Sequence, residues 1–420
     1  MISRFRAEFN QRFTSAGYAK LLALLEDRCG GAIPFRVAET PIFIDESLLV
    51  EMAEQGAAMT RYLMSDSVYL SEAKRAIPIG YDVADQTSHP HFLTADFALV
   101  RSESGDLAPK LVEIQAFPSV FGYQVELCNA YREAFSLSGD LGMFLSGLDE
   151  TSYWELLRRT ILGSYSPENV VITEIDPYHQ KTYPDFYVTA RQLGISIVDI
   201  ARVEPVGKKL HYRNATGQLV PIDRIYNRAI ADELVARQVR PGFDLTRSWD
   251  VEWAGHPNWY FLISKFSIPW LCRSGWFSVV PPASFVDEFL AGSGEALLAK
   301  AGVPLPGHRD GDAIYDNLLL KPLFSFAGKG IEFEPTRGQL EAIPKEQRRS
   351  FIVQQRMHFE PTIETPFGLT QAEIRILYAW PDGGVLTPAL SLVRLGRGKM
   401  MGVDHNKNKE WVGGSAGFYI

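Results

Sequence analysis

Cysteine is scarce: the 420 residues contain three, Cys29, Cys128 and Cys272, far apart and without a CxxC pair. That excludes a disulfide framework and a cysteine-rich zinc site, and it fits a reducing compartment. No run of about 18 uncharged apolar residues occurs, so no transmembrane helix is expected. The opening residues carry charges throughout (Arg4, Arg6, Glu8, Arg12, Lys20) and no apolar h-region. No secretory signal is therefore expected, and the cytoplasm is the default location. Basic excess is lacking too. Against 42 Lys and Arg stand 50 Asp and Glu, a formal net charge of -8, which argues against nucleic acid or an anionic membrane as partner. There is no low-complexity tract, no repeat of solenoid length, no Walker GxxxxGK(S/T) loop and no GxSxG elbow. What is left is a globular chain, 46% apolar and 22% charged, large enough for roughly two or three domain-sized cores.

Periodicity divides that chain. Residues 5–28 place apolar side chains at helical spacing and end at Cys29-Gly30-Gly31, where paired glycines stop a helix; residues 46–64 repeat the pattern. Both read as a helical cap over residues 1–90. From His91 the period becomes two: FLTADFALV, a polar turn SESGDLAP, then KLVEIQAF, a β-hairpin that opens a segment at 91–160. Residues 161–240 run strand, helix, strand, a hairpin around RNATGQ, and strand, a small α/β unit with parallel strands. Residues 241–420 begin aromatic-rich and continue as strands around LLLKPLFSFAGKGIEFEP, SFIVQQRM and the glycine-punctuated stretch from Glu373. The expected fold class is α/β (α+β).

Three patterns carry chemistry. In the first, a strand delivers Lys321 and a small-residue loop, Ser325-Phe326-Ala327-Gly328-Lys329-Gly330, turns back into a second strand. An ammonium and bare backbone N–H groups can then face one anion, with Gly328 and Gly330 allowing close approach. The bland alternative is a hairpin with an exposed lysine. In the second, Asp96 lies on one strand of the predicted hairpin and Glu113-Ile114-Gln115 on the other. Period-two geometry puts Glu113 and Gln115 on one face, and Asp96 across from them would complete three oxygen donors suited to Mg²⁺. Charges on the solvent face of a hairpin are the competing reading. In the third, His256-Pro257-Asn258-Trp259 precedes Lys265, a lysine inside an apolar run that needs an anionic partner unless it snorkels to water.

Together these segments resemble the synthetase domain of the glutathionylspermidine synthase family, a circularly permuted ATP-grasp fold. Asp96-Phe97 and Glu113-Ile114-Gln115 are similar to the family's Asp followed by Glu-x-Asn. Ile225-Tyr226-Asn227-Arg228 resembles the last strand of its α/β domain. His256 to Trp259 with Lys265 and Pro269-Trp270-Leu271 resembles HPxW…K…LPxLW, and Lys321-Pro322 through Ile331 resembles KPxFGREGxxI. The order agrees from about residue 96 to the end.

The resemblance implies an ATP-grasp-like architecture in permuted order, with an inserted small α/β (pre-ATP-grasp) domain and the N-terminal helical cap. Its segments are 1–90 (cap), 91–160 (metal-binding part of the large subdomain), 161–240 (α/β domain) and 241–420 (nucleotide-binding subdomains). It implies ATP and Mg²⁺ as cofactors, and small-molecule or peptide carboxylates and amines as substrates. Lys265 and Lys321 would hold phosphates, the loop with Ser325, Ala327, Gly328 and Gly330 would close over them, and the backbone of Val353-Gln354-Gln355 would serve adenine. Asp96, Glu113 and Gln115 would take metal. Asp404 and Asn406, with Glu373 upstream, are a rival metal set on a polar loop and rank second. Arg375 and Arg394 are candidates for the acyl phosphate or substrate carboxylate; otherwise they are strand arginines facing solvent. The chain departs from the family at Thr94, where Arg is expected, and at Gln115, where Asn is expected. A catalytically impaired nucleotide-binding or scaffold protein is the alternative to an ATP-dependent carboxylate–amine ligase.

Overall fold

The computed structural model describes residues 1–102, 104–305, 314–324, 330–398, 401, 406 and 408–420. Its centre is a sheet that joins the two ends of the chain. The strand order is β1 (Ile42–Ile44), β18 (Gly413–Tyr419), β17 (Thr387–Gly396), β16 (Gly368–Ala379), β2 (Phe92–Arg101) and β3 (Leu107–Gln115), with β15 (Ile363–Thr365) paired to β16. β1 runs parallel to β18 and the remaining pairs are antiparallel. The expected hairpin is therefore β2–β3, and its sheet is completed from residues more than 250 positions later in the sequence.

Alternation along these strands decides what covers them. Ala95, Phe97 and Leu99 of β2 and Ile374, Ile376 and Tyr378 of β16 share a core with Leu49, Met52, Ala53 and Leu63 of α3 (Glu46–Ser65). On the other face, Leu377, Leu390 and Ala416 pack with Leu21 and Leu25 of α2 (Ser15–Arg28) and Val125 and Tyr131 of α5 (Phe121–Ala134). The first helical stretch is two helices, not one: α1 (Ser3–Arg12) stops and Thr14 turns extended, its side chain accepting from Gly17 N as the N-cap of α2. Asp45 and Asp66 cap α3 and α4 (Ser67–Arg75) in the same way.

The small α/β unit is led in by α6 (Glu150–Leu162), which opens with an Asp149–Ser152 capping box. Its strands β4 (Val170–Glu174), β5 (Ser196–Asp199), β9 (Arg224–Asn227) and β10 (Glu252–Ala254) lie in the order β10-β9-β4-β5, all parallel. α7 (Tyr183–Leu193) crosses from β4 to β5, and the RNATGQ turn joins β7 (Lys209–Arg213) to β8 (Leu219–Ile222) in a side sheet with β6 (Glu204–Val206). On α7, Asp185 accepts from the Gly122 and Tyr123 amides at the start of α5, at 2.8 and 3.1 Å, and pairs with Arg228 at 2.5 Å. After β9 comes the short α8 (Ala231–Ala236).

A third sheet is antiparallel, in the order β11 (Ala283–Phe285), β14 (Phe351–Gln355), β12 (Leu318–Pro322), β13 (Glu332–Phe333). Leu318, Leu320 and Val353 face outward onto α11 (Val286–Leu290), α12 (Ser293–Lys300) and α13 (Arg337–Ala342). Ile352 and Leu323 face inward and join the large core with Phe261 of α9 (Trp259–Leu262) and Ile268 of α10 (Ser267–Arg273). Among the described residues no helix is long and apolar enough to cross a membrane.

One close approach sets the seat of α3. A Cβ on Gly56 would lie 2.1 Å from Tyr378 Oη, and the Tyr378 hydroxyl donates to Ala53 O at 3.0 Å. Alanine is the better helix former by about 1 kcal/mol, yet here it must displace a buried, hydrogen-bonded ring. Gly56→Ala is expected to destabilise the protein by about 1–3 kcal/mol in urea unfolding, with a smaller cost when Tyr378→Phe is already present. A Gly56→Ala protein more stable than the parent would refute this packing.

Candidate active site

Backbone register assembles the site. β2 places Asp96 opposite Glu113 and Thr94 opposite Gln115 on β3; β16 places Arg375 opposite Asp96; β17 places Arg394 opposite Glu373. Residues directly across a ladder share a face, so Asp96, Glu113, Gln115, Glu373, Arg375 and Arg394 all project away from α3. Asp96 is 1% exposed. Arg375 grips it with two bonds, Nε to Oδ1 at 2.5 Å and Nη2 to Oδ2 at 2.6 Å, and Arg394 Nη2 adds a third at 2.7 Å. Arg375 Nη1 donates to Ser119 Oγ at 3.2 Å, just beyond β3. Arg394 Nη2 also lies 3.0 Å from Glu373 Oε1, an ion-pair distance without hydrogen-bond alignment.

Two lysines come to this face from other elements. Lys265, buried in the turn between α9 and α10, stands 3.3 Å from Glu113 Oε2. Lys321, buried on β12, donates to Gln354 Oε1 on β14 at 2.7 Å. Burial alone would raise the Glu113 carboxyl, but Lys265, then Arg375, Arg394 and Lys321, outweigh it and hold it at about 2. Burial pushes the Lys321 ammonium down to about 8 against the pull of Glu113. Among the described residues four cations thus face three carboxylates, and one of those, Glu373, is driven by burial up to about 7. The cluster is short of negative charge, which suits an incoming anion.

A polyphosphate fits: Lys265 and Lys321 converge, and the Gln354 Nε2 donor, on a residue 1% exposed, has no partner among the described residues. Gly330 has φ +73, left-handed backbone that favours glycine; Ser325, Ala327 and Gly328 lie outside the described residues. Magnesium fits in part. Asp96, read as a metal ligand, has both oxygens committed to arginine because the register sets Arg375 directly against it. Glu113 remains, with Gln115, half-buried, whose amide makes no hydrogen bond among the described residues. Two such donors plus phosphate oxygens suffice for Mg²⁺, although among the described residues no three His, Cys, Asp or Glu are grouped to hold an ion.

The expected adenine contact needs correction. β14 is an interior strand, with Gln354 paired to Ala283 on one side and Leu319 on the other, and Gln355 N donating to Pro282 O. The N–H groups of Val353, Gln354 and Gln355 are spent on the ladder, so Gln354 enters the site by its side chain. Of the rival metal set, Asp404 lies outside the described residues and Asn406 Oδ1 accepts from Arg397 N at 3.3 Å. The HPNW motif turns out to be an anchor. His256 contacts Ala84 O, Asn258 holds Val83 by donor and acceptor, and Trp259 Nε1 donates to Thr87 Oγ1.

No family model matches the chain, and no curated protein matches it. A solved structure does: a glutathione synthetase-like effector from Globodera pallida, in apo form, covering 98% of this chain and 99% of that one at 11% identity, with a TM-score of 0.54. The fold is ATP-grasp-like, in its glutathione synthetase-like form. The likeness is one of fold, to a glutathione synthetase-like protein rather than to glutathionylspermidine synthase in particular.

In this glutathione synthetase-like frame two residues outside the expected site set, Ser119 and Arg228, also bear on it. Arg228 Nη1 donates to Ser119 O at 2.7 Å and to Asp185 at 2.5 Å, tying the C-terminal ends of β4 and β9 to the loop that meets Arg375. Ligands of parallel sheets gather at such ends. A carboxyl stands there: Glu174, buried, is pushed up to about 8 mainly by desolvation, against the Ile175 amide and Arg228. Between about 4.5 and 8 the folded state therefore holds a proton the unfolded chain has lost, and stability falls as pH rises through that window by on the order of 1 kcal/mol per unit. Melting between pH 5 and 8 should decline less steeply in Glu174→Gln; equal slopes would show that Glu174 does not retain its proton.

Proposed function

We propose that the chain is an ATP-dependent ligase joining a carboxylate to an amine through an acyl phosphate. The observation that carries this reading is the convergence, on one face of the large sheet, of Lys265, Lys321, Arg375 and Arg394 beside Glu113 and Gln115. The ATP-grasp-like fold supports it.

Lys265 and Lys321 hold the phosphates of ATP, and Gln354 Nε2 offers a further donor beside Lys321. Glu113 and Gln115 would hold Mg²⁺, which when bound would supply neutralisation of the charge that builds on the transferring group. An oxygen of the substrate carboxylate attacks the γ-phosphorus, the bond to the β-phosphate oxygen breaks, and ADP carries away the electron pair. The amine then attacks the acyl carbon, inorganic phosphate departs, and the nitrogen gives up a proton. Throughout, Arg375 and Arg394 stabilise negative charge from fixed positions. The substrates are small-molecule or peptide carboxylates and amines; the acidic overall charge disfavours nucleic acid.

A second reading, nucleotide binding without ligation, is favoured by one position. Thr94, buried opposite Gln115, is uncharged where the resembling family carries Arg, so one cation near the transferred group is missing.

ATP with Mg²⁺ at a hundredfold excess over Kd should stabilise the protein by about 2.7 kcal/mol, and Lys321→Ala should abolish that shift. An unchanged shift in the variant removes Lys321 from the site. ADP release that requires both a carboxylate and an amine supports the ligase; stabilisation by ATP with no turnover across a broad panel of both supports the binding protein.

A further inference from the structure

Asp96 stands where the resemblance implies a metal ligand, and its surroundings are those of a counter-ion. Its carboxylate is almost wholly buried, accepts three hydrogen bonds from two guanidinium groups, and has both oxygens engaged. A cation at either oxygen would compete with Arg375 and Arg394 for Asp96, and displacing one of them would leave a buried arginine unpaired, which is strongly unfavourable. What Asp96 does instead is fix two planar forks. Arg375 is locked along its Nε–Nη2 edge, with Nη1 on Ser119 Oγ. Arg394 is held by Nη2 alone; its Nε and Nη1 make no hydrogen bond among the described residues, and its side chain is 21% exposed.

We propose that Asp96, Arg375 and Arg394 form a preformed receptor for an ionised carboxylate, and that this receptor works without a divalent cation. Arg394 is the contact residue: Nη2 gives one of its two hydrogens to Asp96, and the other, with the open donor on the same edge, presents a fork to the two oxygens of a carboxylate, a geometry lysine cannot offer. Asp96 is a positioning residue, acting through the arginines it orients. The assignment rests on the ligase reading for its substrate, since the carboxylate that docks here is the one to be phosphorylated.

The test uses the full chain in EDTA with glutarate as the carboxylate probe and inorganic phosphate in a parallel arm, followed by calorimetry and thermal shift. Glutarate is expected to bind in EDTA with an affinity that added Mg²⁺ leaves within about twofold. Arg394→Gln should weaken it at least about tenfold. Asp96→Asn should weaken glutarate binding while leaving the Mg²⁺ dependence of ATP binding unmoved. Glutarate binding that appears only with Mg²⁺, or survives Arg394→Gln, overturns the proposal, as does an Asp96→Asn protein whose ATP affinity no longer responds to Mg²⁺. Binding of phosphate in place of glutarate also overturns it, assigning the forks to a phosphoryl group. Should Asp96→Asn not fold, the Arg394→Gln and metal arms still decide. If ATP fails to bind the parent protein, the ligase reading falls, while the EDTA arm still reports on the receptor.

Discussion

The buried pairing of Asp96 with Arg375 and Arg394 is the constraint on which the rest of the site depends. Three charged groups withdrawn from water are tolerable only if each finds geometrically good partners, and here the partners come from strands β2, β16 and β17. The sheet must therefore close in one register. A slip of a single residue would turn every one of these charges into the apolar core beneath α3. Functional geometry and fold register are in this respect the same fact.

From that pairing the site grows outward in two directions. Arg375 reaches Ser119, whose backbone is held by Arg228, which Asp185 in turn holds while capping α5. The small α/β unit is thus coupled to the charged face by buried polar contacts rather than by apolar packing alone, and such contacts specify orientation more sharply than area does. In the other direction Glu113 meets Lys265, and the turn that carries Lys265 is braced by the His256 and Asn258 anchors to residues 82–87. Burial lowers His256 to about 4, so this anchor is a neutral imidazole that donates without carrying charge.

Some of this was legible in the residues. Alternation in FLTADFALV and KLVEIQAF determined a hairpin, because a period of two has few other solutions. The strand–helix–strand order of residues 161–240 determined a parallel α/β unit. The same reasoning left Ser119 and Arg228 outside the expected site, each an ordinary residue in a loop or at a strand end. It also took the HPNW motif for part of the chemistry when its side chains spend their hydrogen bonds on a neighbouring segment.

What the sequence by itself determined is therefore local: which segments are strands or helices, and which lysines and carboxylates sit on a face or beside a flexible turn, since these follow from spacing within a few residues. Only the tertiary structure decided pairing. That Arg375 lies against Asp96 across 279 positions, that β14 is an interior strand with no backbone donors to spare, and that Asp96 is neutralised by arginine are consequences of strand order and register. Those are set by long-range packing of two ends of the chain, for which no short-range pattern exists.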